Sequence, residues 1–573
     1  MSDGRQGIFG IDLGTTYSVV SYIDDTGRAA VTRNTHGLDT TPSVVYFENE
    51  SSVVVGKTAK EAAGQFPEQV VALIKREMGD REYRRTFFGV EHTPPSISAL
   101  ILEALAREAE ADTGRKVTDA VITVPAYFGL LEKDATRKAG EIAGLKVIGI
   151  VPEPVAAALQ YGVTGSADGT TFLVYDLGGG TFDISLIRMT DTSIEVLVVG
   201  GDHRLGGADW DEKLLDHLVE RTVAECGDDS LRDDESMLQD LRILAEETKK
   251  ALSTAESKTQ IIRYTGTPVK ITVTRDQFEQ MTADLLDETI RITSRTLAEA
   301  EERYPGIRQQ ISQVLLVGGS SKMPTVSEAL RREFGWDPRL VDPDLAVAKG
   351  AALYAAGQTV RYVDRDQAEG AGLPGEAGND ELAAAVAGPG PVTEEAVRAV
   401  ADQTGLREED IRRLAERIVV NVLPKAIGVK LMDTTRPGWQ DDQESALYVE
   451  HLVDAQTQLP FQREPFVAST IWPQQSEIEV EIWEQAGGRP GRDLAQNHAL
   501  DANGRITGLG PFALPAGSPI HMDIGIDAEG TVHLRAVEPA SGHQVQLEVR
   551  ISILSAEQLV EAKRAHAGLT VST

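Results

Sequence analysis

The chain of 573 residues, 41% hydrophobic and 25% charged, has the balance of a soluble globular protein and is too long for one core, so two or three domains are expected. A formal charge of −33 argues against nucleic acid and anionic membranes as partners, with high solubility as its plainer source. One cysteine, Cys226, leaves no intrachain disulfide and no Cys-based metal site.

The opening MSDGRQG lacks the charged and apolar regions of a secretory leader. With no run of about 18 apolar residues, a membrane span is not expected and cytoplasmic placement is. Residues 8–18, IFGIDLGTTYS, read as an apolar strand tipped by Asp12, then a turn at Gly14 and the hydroxyls of Thr15, Thr16 and Tyr17. Runs 44–47 and 53–55 predict short strands, and Lys75-Arg76 follows the apolar run 70–74. The spacing predicts an amphipathic helix over 97–112 and a buried strand over 120–124, ended by Pro125. The alanine-rich stretch after Glu153 predicts a closely packed helix.

Residues 174–183, VYDLGGGTFD, repeat the first design: a strand ending on Asp176, then Gly178, Gly179 and Gly180, then Thr181 and Asp183. Glycine lets the backbone pass close to a phosphate and aim its N–H groups at it. Such a turn also closes ordinary hairpins. Two acid-tipped copies in one chain instead predict two similar lobes facing one nucleotide. Neither is a P-loop, since the Gly-Lys-Ser/Thr ending is absent. Further on, Leu238, Leu241, Ala245, Thr248 and Leu252 recur at spacings of three and four and mark one buried helical face. Glu246, Lys249, Lys250 and Ser253 fall on its polar side, which composition alone would leave to solvent. Gly318, Gly319 and Ser320 follow a buried strand over 314–317.

These stretches resemble the heat-shock 70-kDa chaperone family of the actin-like ATPase superfamily. VITVPAYF at 121–128, EPVAAALQYG at 153–162, HRLGGADWD at 203–211 and LLVGGSSKMP at 315–324 join the two hairpins as ordered motifs across about residues 7–360. The resemblance implies an α/β, ribonuclease H-like two-lobed nucleotide domain over 1–361. It also implies ATP hydrolysis to ADP and phosphate as a switch in protein folding and the stress response. Asp12 and Asp176 would hold Mg2+ through water. Lys75, Glu153 and Thr181 complete the hydrolytic set, with Glu153 orienting the attacking water. Thr15, Thr16, Tyr17, Gly14, Gly178 to Thr181 and Gly207 would hold phosphates. Glu246, Lys249, Lys250, Ser253, Gly318, Gly319, Ser320, Lys322 and Asp344 would hold adenosine. K+ is a further candidate ligand of Asp12, Tyr17 and Asp183. Lys322 replaces a common Arg, whose plane stacks better on adenine.

The departures from the family matter as much. The region 77–95 is short, Lys133 stands where an Arg is usual in the interdomain relay with Pro125, and Gly149 stands where a J-domain-contacting Arg is expected. J-protein stimulation is therefore in doubt. Residues 362–416 are an insertion, read as a spacer at AEGAGLPGEAGND with short helices over 383–387 and 394–405 and from 407–410 onward. An apolar linker over 417–422 carries Asn421 in place of Asp.

Beyond it, alternation of Ile478, Val480 and Ile482, of Met522, Ile524 and Ile526, and of Val545, Leu547 and Val549 predicts an antiparallel β-sandwich over 423–554. A short helix over 555–573 and no helical lid complete the expectation. Ile427, Val429, Phe466, Ile478 and Val480 match the family's peptide pocket, with Met432 arching over it. Plain sandwich core is the equal alternative. The first reading is a lidless ATP-dependent chaperone for unfolded, apolar peptide segments. The second is an ATP-gated regulatory protein with one dedicated partner. A small-molecule kinase is disfavoured by the adenosine motifs and the sandwich.

Overall fold

The computed structural model describes residues 7–164, 169–190, 192–370, 392–404, 406–475, 477–487, 490–506, 514–528, 530–539, 544–549 and 553–573. Two sheets that share a five-strand order, each with a differently placed sixth strand, underlie the two lobes of the nucleotide domain. In the first lobe, strand Phe9–Asp12 runs parallel to Asp119–Val124 and antiparallel to Tyr17–Ile23. In the second, Thr170–Leu177 runs parallel to Ile311–Val317 and antiparallel to Phe182–Met189. Each central strand delivers its terminal acid, Asp12 or Asp176, to the cleft between the lobes, as the repeated sequence requires. The alanines after Glu153 serve close packing. Helices Glu153–Thr164 and Ala346–Gly370 meet so tightly that a Cβ on Gly350 would lie 1.7 Å from the Ala156 carbonyl oxygen.

Region 77–95 holds only a two-stranded hairpin, Arg85–Phe87 with Val90–His92. The closing helix runs nine residues past Arg361, to Gly370. The helix expected over 383–387 lies outside the described residues. Helices Glu394–Thr404 and Glu408–Glu416 form a hairpin whose Ala396, Val397, Val400, Ile411 and Ala415 are buried in the core shared by the two lobes. Arg361 donates from Nη2 (2.7 Å) and Nε (3.1 Å) to the Ala415 carbonyl, tying the hairpin to the closing helix. Residues 392–416 are thus not a free spacer, because their apolar residues recur at helical spacing and find a core to enter.

The linker strand Ile418–Val420 pairs in parallel with residues 193–195, adding an edge strand to the second lobe. Beyond it stand two antiparallel sheets. The first is ordered Leu447–Val453, Ile427–Met432, Ile478–Gln485, Asn497–Ile506, and the second is built on Pro519–Ile526, Val532–Val537 and Gln544–Val549. Their facing residues, among them Val429, Ile482, Ile524 and Leu534, form one core that also takes in Leu130 and Leu131 of the first lobe. The sandwich is docked. Gln456 pairs its side-chain amide with Val199 N (3.0 Å) and O (2.8 Å), Glu484 accepts from Leu130 N (2.9 Å), and Lys425 lies 2.6 Å from Glu132. Helix Ala556–Ala567 begins at Ser555 with a reciprocal cap to Gln558. A strand absent from the sequence reading, Thr570–Ser572, follows and joins the first lobe. Among the described residues no helix is long and apolar enough to cross a membrane.

Candidate nucleotide site

The cleft between the lobes encloses a cavity of about 670 Å3. Its floor is the two hairpins in direct contact: a Cβ on Gly179 would lie 2.0 Å from Thr16 Oγ1, and one on Gly180 would lie 2.1 Å from Thr15 Cγ2. Only glycine at 179 and 180 allows the lobes to approach this closely, whereas a Cβ on Gly178 would meet nothing nearer than the Thr181 carbonyl oxygen at 3.5 Å. The amides of Gly207 and Ala208, at the start of helix Gly207–Cys226, donate to the Gly178 (2.9 Å) and Gly179 (2.7 Å) carbonyls and hold that turn in shape. Arg76 crosses from the first lobe to Gly180 O (2.8 Å) and Asp209 (2.6 Å).

At the cavity's inner end Lys75 Nζ lies 2.5 Å from Glu153 Oε1, both nearly excluded from solvent. Asp12 accepts from Thr123 Oγ1 at 2.9 Å. Burial and the nearby Glu153 charge raise the Asp12 pKa to about 7. Asp176 and Asp183 are raised as well, by burial first and then by Glu153. Three buried carboxylates and the half-buried Asp12 thus surround one ammonium, and Asp183 Oδ2 has no hydrogen-bond partner among the described residues. That excess of desolvated negative charge fits a hard cation held by oxygens, so Asp12 and Asp176, one from each lobe, are suited to a hydrated Mg2+. Among the described residues no cluster of three or more His, Cys, Asp or Glu forms a ready-made metal cage.

At the outer end, helix Glu235–Leu252 presents Glu246, Lys249 and Lys250. Lys249 is buried, contrary to its assignment to a polar face. Its ammonium donates to Gly207 O (2.6 Å) and Asp211 (2.7 Å), which offset the burial of its charge. Glu246 bridges the cleft to Lys60 of the first lobe, and Tyr17 Oη lies between Glu246 (2.9 Å), Lys60 (3.1 Å) and Lys250 (2.8 Å). Burial alone would raise the Glu246 pKa, but Lys60 and Lys250 hold it down at about 2. Opposite, Lys322 pairs with Asp344, and Gly318, at φ 80, sits where a Cβ would meet Asp176 Oδ1 at 2.4 Å.

Most of the residues expected from sequence line this one cavity. Asp12, Lys75, Glu153, Asp176 and Thr181 stand at one end, and Glu246, Lys249, Lys250, Ser253, Gly319, Ser320, Lys322 and Asp344 at the other. Gly180 and Gly207 stand just behind the lining, as packing and hydrogen-bonding supports. Asp183 does not line the cavity either: it faces Asp176 across the hairpin and accepts from Ala126 N at 3.0 Å. The Tyr17 hydroxyl is committed to the outer end, so the three residues named for K+ do not converge through their side chains. Lys60 was missed, since a lone charge has no local pattern, and Thr123 and Asp211 were given no role although they lie in the motifs at 121–128 and 203–211.

The residues matched to a peptide pocket lie elsewhere. Ile427, Val429, Ile478 and Val480 are buried in the sandwich core, and Phe466 packs against it half-buried. An alternating strand looks the same whether its inward face meets a ligand or the opposite sheet, and here it meets the sheet. Met432, half-buried, ends its strand opposite Leu447.

Fold and site together define a two-lobed ATPase coupled to a β-sandwich. A family model described as Hsp70 protein matches residues 8–361. The chaperone protein DnaK of Thermotoga neapolitana is 33% identical over 559 residues, 96% of this chain and 81% of that protein. The DnaK of Thermosipho africanus is 32% identical over 557 residues, with the same coverage. The chain belongs to the Hsp70 family, the ATP-hydrolysing chaperones, with actin-like ATPase lobes followed by a β-sandwich domain.

Proposed function

We propose that the interlobe cleft binds ATP with Mg2+, that bound ATP favours the docked form and loosens the hold of the sandwich on apolar peptide segments in the cytoplasm, and that hydrolysis to ADP restores the hold. The observation that carries this reading is the contact of the two acid-tipped hairpins beneath a cavity whose far end is lined by Glu246, Lys249 and Lys322. Thr15, Thr16 and the backbone at Gly178–Thr181 would grip phosphates, and the outer group would grip adenosine. Lys75 supplies a fixed positive charge beside the transferred phosphoryl group, while Glu153, holding Lys75, orients the attacking water or takes its proton. Mg2+, when bound between Asp12 and Asp176, would neutralise the triphosphate.

Ile427, Val429, Ile478 and Val480 are buried between the two sheets, so peptide entry there requires the sandwich itself to open. One feature favours the dedicated-partner reading: Gly149 packs under Tyr354 and Gln358 and offers no side chain to a co-chaperone. The test is ATP turnover by the full chain with a panel of short apolar peptides, beside Lys75→Ala. Stimulation that the variant loses supports the chaperone reading. Turnover indifferent to every peptide moves the assignment to a dedicated partner.

A further inference from the structure

The segment 553–573 crosses from the sandwich to the first lobe and enters its fold. Ile553, Leu554 and Val571 are buried in the same core as Phe47, Phe87 and Ile97. Thr570–Ser572 extends in parallel along Ser52–Val55, in register Val571 to Val53, and closes one edge of that sheet. The Thr570 amide donates to Ser51 O (2.8 Å), Arg107 Nη1 donates to Val571 O (2.7 Å), and Ile553 N donates to Asp134 Oδ2 (2.9 Å). The helix between these anchors is seated differently. None of its residues is fully buried: Leu559 and Ala562 pack half-covered against that core, Val560 is exposed, and a cavity of about 420 Å3 lies between the helix and His92, Ser96 and Leu100. His566, 2.7 Å from Glu103, is its main polar tie. Two small anchors joined by a loosely seated helix are the build of a fastening rather than of a permanent core.

Its position makes it a mechanical one. The last sandwich strand ends at Val549, and Ile553 is already in the first lobe. Four residues reach at most about 14 Å, so the sandwich cannot leave the lobe by more than that with the anchors in place. We propose that residues 553–573 are a releasable clasp, which holds the docked form and must let go of the Ser52–Val55 edge before the sandwich can undock. This rests on the nucleotide-driven switching proposed above.

Amide hydrogen exchange of the full chain, with ATP and with ADP, tests it. Amides at 52–55 should exchange at least tenfold faster with ADP, in step with 193–195, which the linker covers. Thr570→Pro removes the amide that donates to Ser51. It should raise exchange at 193–195 at least fivefold in ATP, while the protection of 121–124 reports intact folding. Equal exchange at 52–55 in the two nucleotides overturns the clasp. If 193–195 alone then responds, the ATP switch stands without it. Thr570→Pro that is folded yet leaves 193–195 unchanged overturns the coupling.

Discussion

Lys425 sits at the sandwich side of the docked interface, 2.6 Å from Glu132 of the first lobe and 3.7 Å from Glu484 of its own sheet. Burial would lower its pKa, but the two carboxylates raise it above the ordinary lysine value. Lys425→Met keeps the aliphatic stem and strands both carboxylates in the interface. Breaking a buried pair costs about 3–5 kcal/mol, and the partial exposure here, with Lys133 close by, brings that to about 2–3 kcal/mol. Undocking returns Glu132 to water, so the cost falls mainly on the docked form. The docking equilibrium should shift by roughly 30- to 150-fold. Hydrogen exchange over 193–195 in ATP reads this directly, because the linker strand covers the outer edge of that stretch only when docked. Adding Glu132→Gln should recover part of the loss. Protection unchanged within threefold in Lys425→Met would refute the electrostatic account of docking.

Lys75→Ala should lower turnover by about 10²- to 10³-fold, and Glu153→Gln on that background should cost little more, since the two act as a unit. Steady-state phosphate release measures both. Lys60→Met removes the ion pair that bridges the cleft, worth about 1 kcal/mol at its part-exposed position, and should speed ADP release roughly fivefold in stopped flow. His92 carries a pH dependence. Burial, with the nearby His566, holds it at about 4, below the ordinary 6.5. Between those values the unfolded chain binds a proton that the fold excludes, so stability is lost as pH falls from 6.5 towards 4, by at most about 3 kcal/mol. Comparing urea midpoints at pH 7 and pH 5 should show that loss, reduced in His92→Phe, which keeps the ring contacts with Phe47 and Phe87.

Much of the nucleotide site was legible because its residues serve few other ends. A strand tipped by Asp, then glycines and hydroxyls, is what a phosphate requires, and the repeat at 174–183 foretold the second lobe. The adenosine helix was legible by its buried stripe, though not the inward turn of Lys249, which depends on Asp211 some 38 residues away. Alternation foretold the sandwich without telling core from pocket. The clasp strand Thr-Val-Ser is too short to signal itself, and its partner strand lies more than 500 residues earlier. The inserted helical hairpin was signalled by its acidic helix starts, while its burial against the closing helix was not, since no local pattern specifies which core an amphipathic helix will join.

The central claim is that the state of the cleft governs the sandwich, and peptide release tests it most directly. A fluorescent apolar peptide is loaded onto the full chain in ADP and mixed rapidly with ATP and Mg2+. The account predicts release at least tenfold faster than on mixing with ADP, in Lys75→Ala as well, because binding rather than hydrolysis drives docking. Release at the same rate in both nucleotides, with ATP shown to be bound, would contradict it.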